Sequence, residues 1–211
     1  MLGRTHMITG LAAGLVVAAA TGLTATTPLA AYAAAAGAAL LPDLDQPRSM
    51  ANRTVATKPA HLVLRNFSHR GFTHSLLAIG LFAALLVLTQ RYLATQGYVF
   101  TDNYVYLITA GYASHIFADM WNKEGVMLFY PFCPFGRRFW SVPLPRALRI
   151  STIYKPAVGF NPWSFQSLVH TEKLFWTYPM LAIIGATIYY HYQPLFDIGR
   201  HTLMAFLTTA K

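Results

Sequence analysis

Leu41-Pro42-Asp43-Leu44-Asp45 places two carboxylates one residue apart, directly after the uncharged run from Met7 to Pro42. The chain has only seven acidic residues in 211, so the pairing needs a cause. Asp43, Asp45, Asp119 and Glu124 all fall in short polar clusters at the edges of apolar segments, and His6, His69, His74 and His115 occupy the same kind of position. Carboxylates at a helix C-terminus meet the negative end of the helix dipole, which is uphill unless a cation is near. A His/Asp set gathered at one end of a helical bundle is the chemistry of a divalent metal site.

The composition states the surroundings. Hydrophobic residues make up 55% and charged residues 11%, against about 25% charged in soluble domains, and the mean hydropathy is +0.40. That is a membrane composition, in a chain whose length suits one domain over 1–211. The net charge is +9, which fits anionic headgroups, phosphorylated substrates or a cytoplasmic loop bias. The single cysteine, Cys133, excludes an internal disulfide.

The run from Met7 to Pro42 is too long for one crossing and just long enough for two short helices, with Thr26-Thr27-Pro28 as their turn. Its Ala and Gly content suits close backbone packing. A cleaved secretory signal is the competing reading of this stretch, but the run leads straight into the paired aspartates. Further apolar segments cover Ser75 to Gln90, Tyr104 to Ala118 and Leu174 to Phe196. The expectation is an all-α, polytopic membrane bundle of about five short transmembrane helices.

Charge orients it. With the N-terminus inside, only Arg91, Arg200 and Lys211 of the 16 basic residues fall outside, as the positive-inside rule requires. All the candidate ligands then lie on the cytoplasmic face, which implies a multi-pass protein of the cell inner (plasma) membrane with a cytoplasm-facing polar site. Residues 123–173 form an amphipathic cytoplasmic insertion in which aromatic residues interleave with Arg137, Arg138, Arg146 and Arg149. Such mixtures bind single-stranded nucleic acid or lie at a membrane interface. Beside several spans the interface reading is preferred and nucleic acid disfavoured, while whether the insertion is also a lid that guides lipid headgroups in is not decided by the sequence.

The spacings suit convergence. His115 and Asp119 are four apart and project from one face of a helix. His69 and His74 flank a glycine turn, where Thr73 is positioned to cap the next helix. The expected metal ligands are Asp43, Asp45, His69, His74, His115 and Asp119. Each cluster alone also has a plain reading, as polar stitching between helices or as a helix stop. His61, His170, His191 and His201 lack an acidic neighbour pattern and read as structural or interfacial.

Several of these stretches occur together and in order: Thr5-His6…Gly10, Leu41-Pro42-Asp43-Leu44-Asp45, His69-Arg70-Gly71-Phe72-Thr73-His74-Ser75, Ser114-His115…Asp119, Gly125-Val126…Tyr130-Pro131 and Glu172. In this they resemble the LexA-regulated, inner-membrane-associated metal-dependent hydrolases, a family grouped remotely with zinc-dependent phospholipase C and the single-strand nucleases. The resemblance implies hydrolysis of a phosphoester, on a phosphorylated lipid or lipid-linked substrate. His6 would serve as a further ligand or an acid–base group, and Arg70 as a phosphate clamp. Glu124 would be a further catalytic group, although Asn122-Lys123-Glu124-Gly125 departs from the family's pattern. The histidines favour zinc and the carboxylates also admit manganese or magnesium. The competing classes are a metal or ion transporter and a non-catalytic, metal-stapled scaffold. An intramembrane metalloprotease is disfavoured, because no His-Glu-x-x-His occurs.

Overall fold

The computed structural model describes residues 3–24, 26–47, 49–53, 62, 71–120, 126–131 and 176–191. Among them the structure is all helix and turn. Helix α1 (Gly3–Ala20) ends at Gly22, whose φ of 70° lets Leu23 N–H reach back to the Ala18 carbonyl at 2.8 Å. This is a Schellman closure, which needs a left-handed residue at that position. The turn expected at Thr26-Thr27-Pro28 is present, and Pro28 precedes α2 (Leu29–Ala38). Helix α2 has 10 residues, a rise of about 15 Å, which is too short for the crossing expected of it. The chain then tightens into a 3-10 turn, Leu41–Asp45, with Pro42 at its start.

Ser75, and not the expected Thr73, caps α3 (Leu76–Thr95), with its hydroxyl accepting from Ala78 N–H at 3.1 Å. Helix α3 closes at Gly97 (φ 82°) in the same way as α1. Helix α4 (Asp102–Asp119) returns to the site end and carries His115 and Asp119 on its last turns. A helical segment at 176–191, called α5 here, completes the described chain.

Helices α1, α2 and α4 pack on one another around Leu15, Ala18, Ala31, Tyr32, Ala35 and Leu107. Ala35 is the point of closest approach. A Cβ on Gly10 would lie 2.8 Å from its carbonyl, and one on Gly111 would collide with the same oxygen. Small residues are what permit this contact, as expected where lipid gives helices no hydrophobic drive to associate. Trp176, at the start of α5, donates its indole N–H to Thr9 Oγ1 at 2.8 Å.

Helix α3 stands apart. It touches α4 through Ala78, Phe82, Tyr112 and Ile116, while Leu81, Leu85, Leu88 and Tyr92 are exposed. It has 20 residues, and only 6% of its apolar window is buried. Among the described residues it is the one helix long and apolar enough to cross a membrane. The five expected spans are therefore seen as an all-helical arrangement with one helix of spanning length.

Candidate metal centre

Four chain segments deliver the site. His6 comes from the first turns of α1, Asp43 and Asp45 from the 3-10 turn after α2, His74 from the turn Phe72–His74 before α3, and His115 with Asp119 from the end of α4. The antiparallel order brings all of these ends together. His6, His74, His115 and Asp119 are fully buried, Asp45 nearly so, and the Asp43 side chain is 19% exposed. Asp43 is thus the edge of the cluster that water reaches.

The protons can be assigned from the partners. His115 Nδ1 lies 2.6 Å from the Ala39 carbonyl, which only accepts, so Nδ1 carries the hydrogen. Thr73 Oγ1 lies 3.0 Å from Asp45 Oδ2 and 3.0 Å from His74 Nδ1. An ionised carboxylate also only accepts, so Thr73 gives its proton to Asp45 and takes one from His74 Nδ1. Both imidazoles therefore turn Nε2 inward, and these two nitrogens are 3.2 Å apart. Two acceptors at that distance, out of reach of water, must share a proton or a cation.

The carboxylates complete the cage. Asp43 Oδ1 is 3.5 Å from His115 Nε2 and 3.8 Å from His74 Nε2. Asp119 Oδ2 is 3.7 Å from His74 Nε2 and 3.9 Å from His115 Nε2. A tetrahedral cation with bonds of 2.0–2.1 Å holds its ligands about 3.4 Å apart, so the donors present fit a divalent ion with little adjustment. Two overlapping groups of donor atoms lie within 4.8 Å of one another: His74, His115 and Asp119, and also His6, Asp43 and His115.

Burial, then the neighbouring His115, lowers the His74 pKa to about 3, which keeps the ring uncharged at neutral pH. Burial pushes the Asp43 carboxyl up, but the neighbouring histidines, His115 first and then His6 and His74, hold it well below the usual range. An anionic Asp43 and an uncharged His74 are the protonation states a metal ligand needs.

Of the expected ligands, Asp43 and Asp119 each approach the facing Nε2 atoms of His74 and His115 within 3.9 Å. Asp45 does not join them. It lies on the Nδ1 side of His74, 4.0 Å away, where it orients the ring through Thr73. His6, expected as a further ligand or acid–base group, stacks on His115 and sits 3.5 Å from Asp119 Oδ1. His69, Arg70 and Glu124 lie outside the described residues, as does most of the 123–173 insertion. Three contributions were not read from sequence alone: Thr73, expected only as a helix cap, as the link between Asp45 and His74, the Ala39 carbonyl, and Tyr112, whose hydroxyl holds the Thr73 carbonyl at 2.6 Å. Tyr112 was open to detection, since it precedes His115 by one helical turn on the same face.

The profile of the YdjM inner membrane protein family matches residues 1–195, which takes in every ligand just described. The chain belongs to that family. It is 39% identical over 94 residues to the inner membrane protein YdjM of Escherichia coli K12, covering 44% of each chain. The YdjM of Shigella flexneri matches to the same extent. The match thus spans under half the length of these curated relatives. The uncharacterized protein YvsG of Bacillus subtilis 168 is 30% identical over 131 residues, which is 62% of this chain and 74% of that one. No solved structure matches. Membership in the YdjM family places the protein among inner membrane proteins, and the membrane composition has its explanation there.

Proposed function

We propose that this protein is a membrane-embedded, metal-dependent hydrolase that cleaves a phosphoester of a lipid or lipid-linked substrate at the cytoplasmic face. The observation that carries the reading is the pair of inward-facing Nε2 lone pairs of His74 and His115, 3.2 Å apart and flanked by Asp43 and Asp119. Nature rarely buries two imidazole acceptors against two carboxylates without a cation between them. His74, His115, Asp119 and Asp43 would hold a divalent ion, zinc by preference for imidazole, with manganese or magnesium admitted by the carboxylates. Such an ion would supply Lewis acidity toward a phosphoryl oxygen and toward a water.

The chain's own residues do the rest. Thr73 and Asp45 fix the His74 ring, and the Ala39 carbonyl fixes that of His115, so both donors are held before a ligand arrives. Asp43, whose side chain is 19% exposed, marks the side from which a substrate would reach the site. Arg70, four residues before His74 in sequence, is the candidate clamp for a phosphate. The exposed leucines of α3 suit contact with lipid, and a lipid substrate would reach the site along the same membrane.

A second reading is a metal-stapled scaffold without turnover, favoured by the near-complete burial of His6, His74, His115 and Asp119. One experiment separates the two. The detergent-purified protein is analysed for metal by elemental mass spectrometry and assayed for phosphate release from phosphorylated lipids, beside His115→Ala. Metal and turnover that both vanish in the variant support the hydrolase. Metal without turnover on any phosphoester supports the scaffold, and no metal after loading with zinc and manganese removes both.

A further inference from the structure

The His6 ring lies nearly parallel to that of His115, with centroids 3.7 Å apart and planes 15° from parallel. An imidazole nitrogen offers its lone pair in the plane of the ring. A single cation shared by these two stacked rings would lie about 1.9 Å out of each plane, nearly the full length of a 2.0–2.1 Å bond. One ion cannot use both lone pairs. His6 is nevertheless built into the cluster: it is 1% exposed, and neither of its ring nitrogens has a hydrogen-bond partner among the described residues. A buried imidazole in that state is costly unless something binds it.

Asp119 supplies the second half of the argument, because its two oxygens face different neighbours. Oδ2 faces His74 and His115, at 3.7 and 3.9 Å, while Oδ1 faces His6 at 3.5 Å. A carboxylate divided in this way bridges paired ions, which in two-metal hydrolytic sites stand about 3.5–4 Å apart. Asp43 lies within ligand distance of both sets, since its carboxylate groups with His6 and His115 as well as with His74.

We propose that the cluster holds two divalent cations, one on His74, His115 and Asp119 Oδ2, the other on His6 and Asp119 Oδ1, with Asp119 bridging them and Asp43 beside both. This rests on the metal reading above and goes beyond it in number and in the role of His6. The His6 ion has fewer protein donors than its neighbour, so it is the weaker bound and the one more open to a phosphate oxygen.

The test uses the full-length protein in detergent, loaded with manganese(II) and desalted. Elemental analysis gives the ions per chain, and electron paramagnetic resonance reports whether they are coupled. The expected result is two manganese ions per chain with an exchange-coupled spectrum. His6→Gln is expected to retain one ion and to show the spectrum of an isolated manganese. One ion per chain in the unaltered protein, with an isolated spectrum, overturns the pair and leaves a mononuclear centre standing. No manganese at all overturns the metal reading itself. A His6→Gln variant that keeps two coupled ions also overturns the assignment, and the unaltered protein's spectrum carries the test even if the variant fails to fold.

Discussion

Thr73 is the residue on which the donor geometry turns. Its hydroxyl joins Asp45 to the Nδ1 side of His74 and so leaves Nε2 for a ligand. Outer partners of this kind typically change metal affinity by about 10–100-fold when removed. Thr73→Val is therefore expected to bind zinc that much more weakly in a chelator competition, with metal still loading at saturation, while Thr73→Ser stays near the unaltered value. Equal affinity in Thr73→Val would show that Asp45 and Thr73 do not orient the ligand. At this scale the sequence was informative wherever a charge interrupted an apolar run. Asp43, His74, His115 and Asp119 stood out because a carboxylate or imidazole in such a place is costly without a partner. Thr73 did not, because its partner Asp45 is 28 residues away. The Ala39 carbonyl is a backbone group and has no letter of its own.

Among the elements, α2 has the least latitude. Gly111 on α4 and Gly10 on α1 both rest against the backbone at Ala35, whereas a Cβ at Gly37 meets nothing within 4 Å. Gly111→Ala is expected to destabilise the protein by about 1–3 kcal/mol, the usual cost of forcing atoms into a packed contact. Gly37→Ala is expected to be neutral or to stabilise by up to about 1 kcal/mol, because the helix loses a flexible residue. Thermal unfolding of both variants in detergent checks the pair, and similar shifts for the two would contradict the packing. The hairpin turn at Pro28 was legible, since proline ends one helix and tolerates the start of another. The early end of α2 was not. The alanines continue past Gly37, which stays within the helix, to Ala39, and the chain then tightens into the 3-10 turn that has Pro42 at its start.

For the whole molecule, α3 sets the frame. Its 20 residues rise about 30 Å, the thickness of the hydrocarbon layer, and the metal cluster lies at its Ser75 end with Gln96 at the other. Leu85→Arg puts a charge on the exposed middle of that helix, at about 2.5–3.5 kcal/mol per residue at a helix centre. It is expected to lower the carbonate-resistant membrane fraction several-fold. With Cys133 replaced by serine, a cysteine at Gln46 is expected to react only from the cytoplasmic side and one at Gln96 only from the opposite side. Labelling of both from one side would contradict a crossing by α3. The convergence of the ligands at one end was readable from their order along the chain, because antiparallel helices alternate their ends. The number of crossings was not, since length and apolarity alone do not distinguish a helix in lipid from one inside a bundle.

The wide spread of the ligands along the chain also has a consequence in time. His6 and Asp43 leave the ribosome while His115 and Asp119 are still unmade, and at about 5–20 residues per second the interval is on the order of ten seconds. During it the α1–α2 hairpin holds an imidazole and a carboxylate without the groups that later balance them. The newborn hairpin must therefore stay shallow, or be sheltered by the insertion machinery, until α4 arrives. The centre is assembled last, and a chain released before Asp119 is made would be a substrate for quality-control proteolysis.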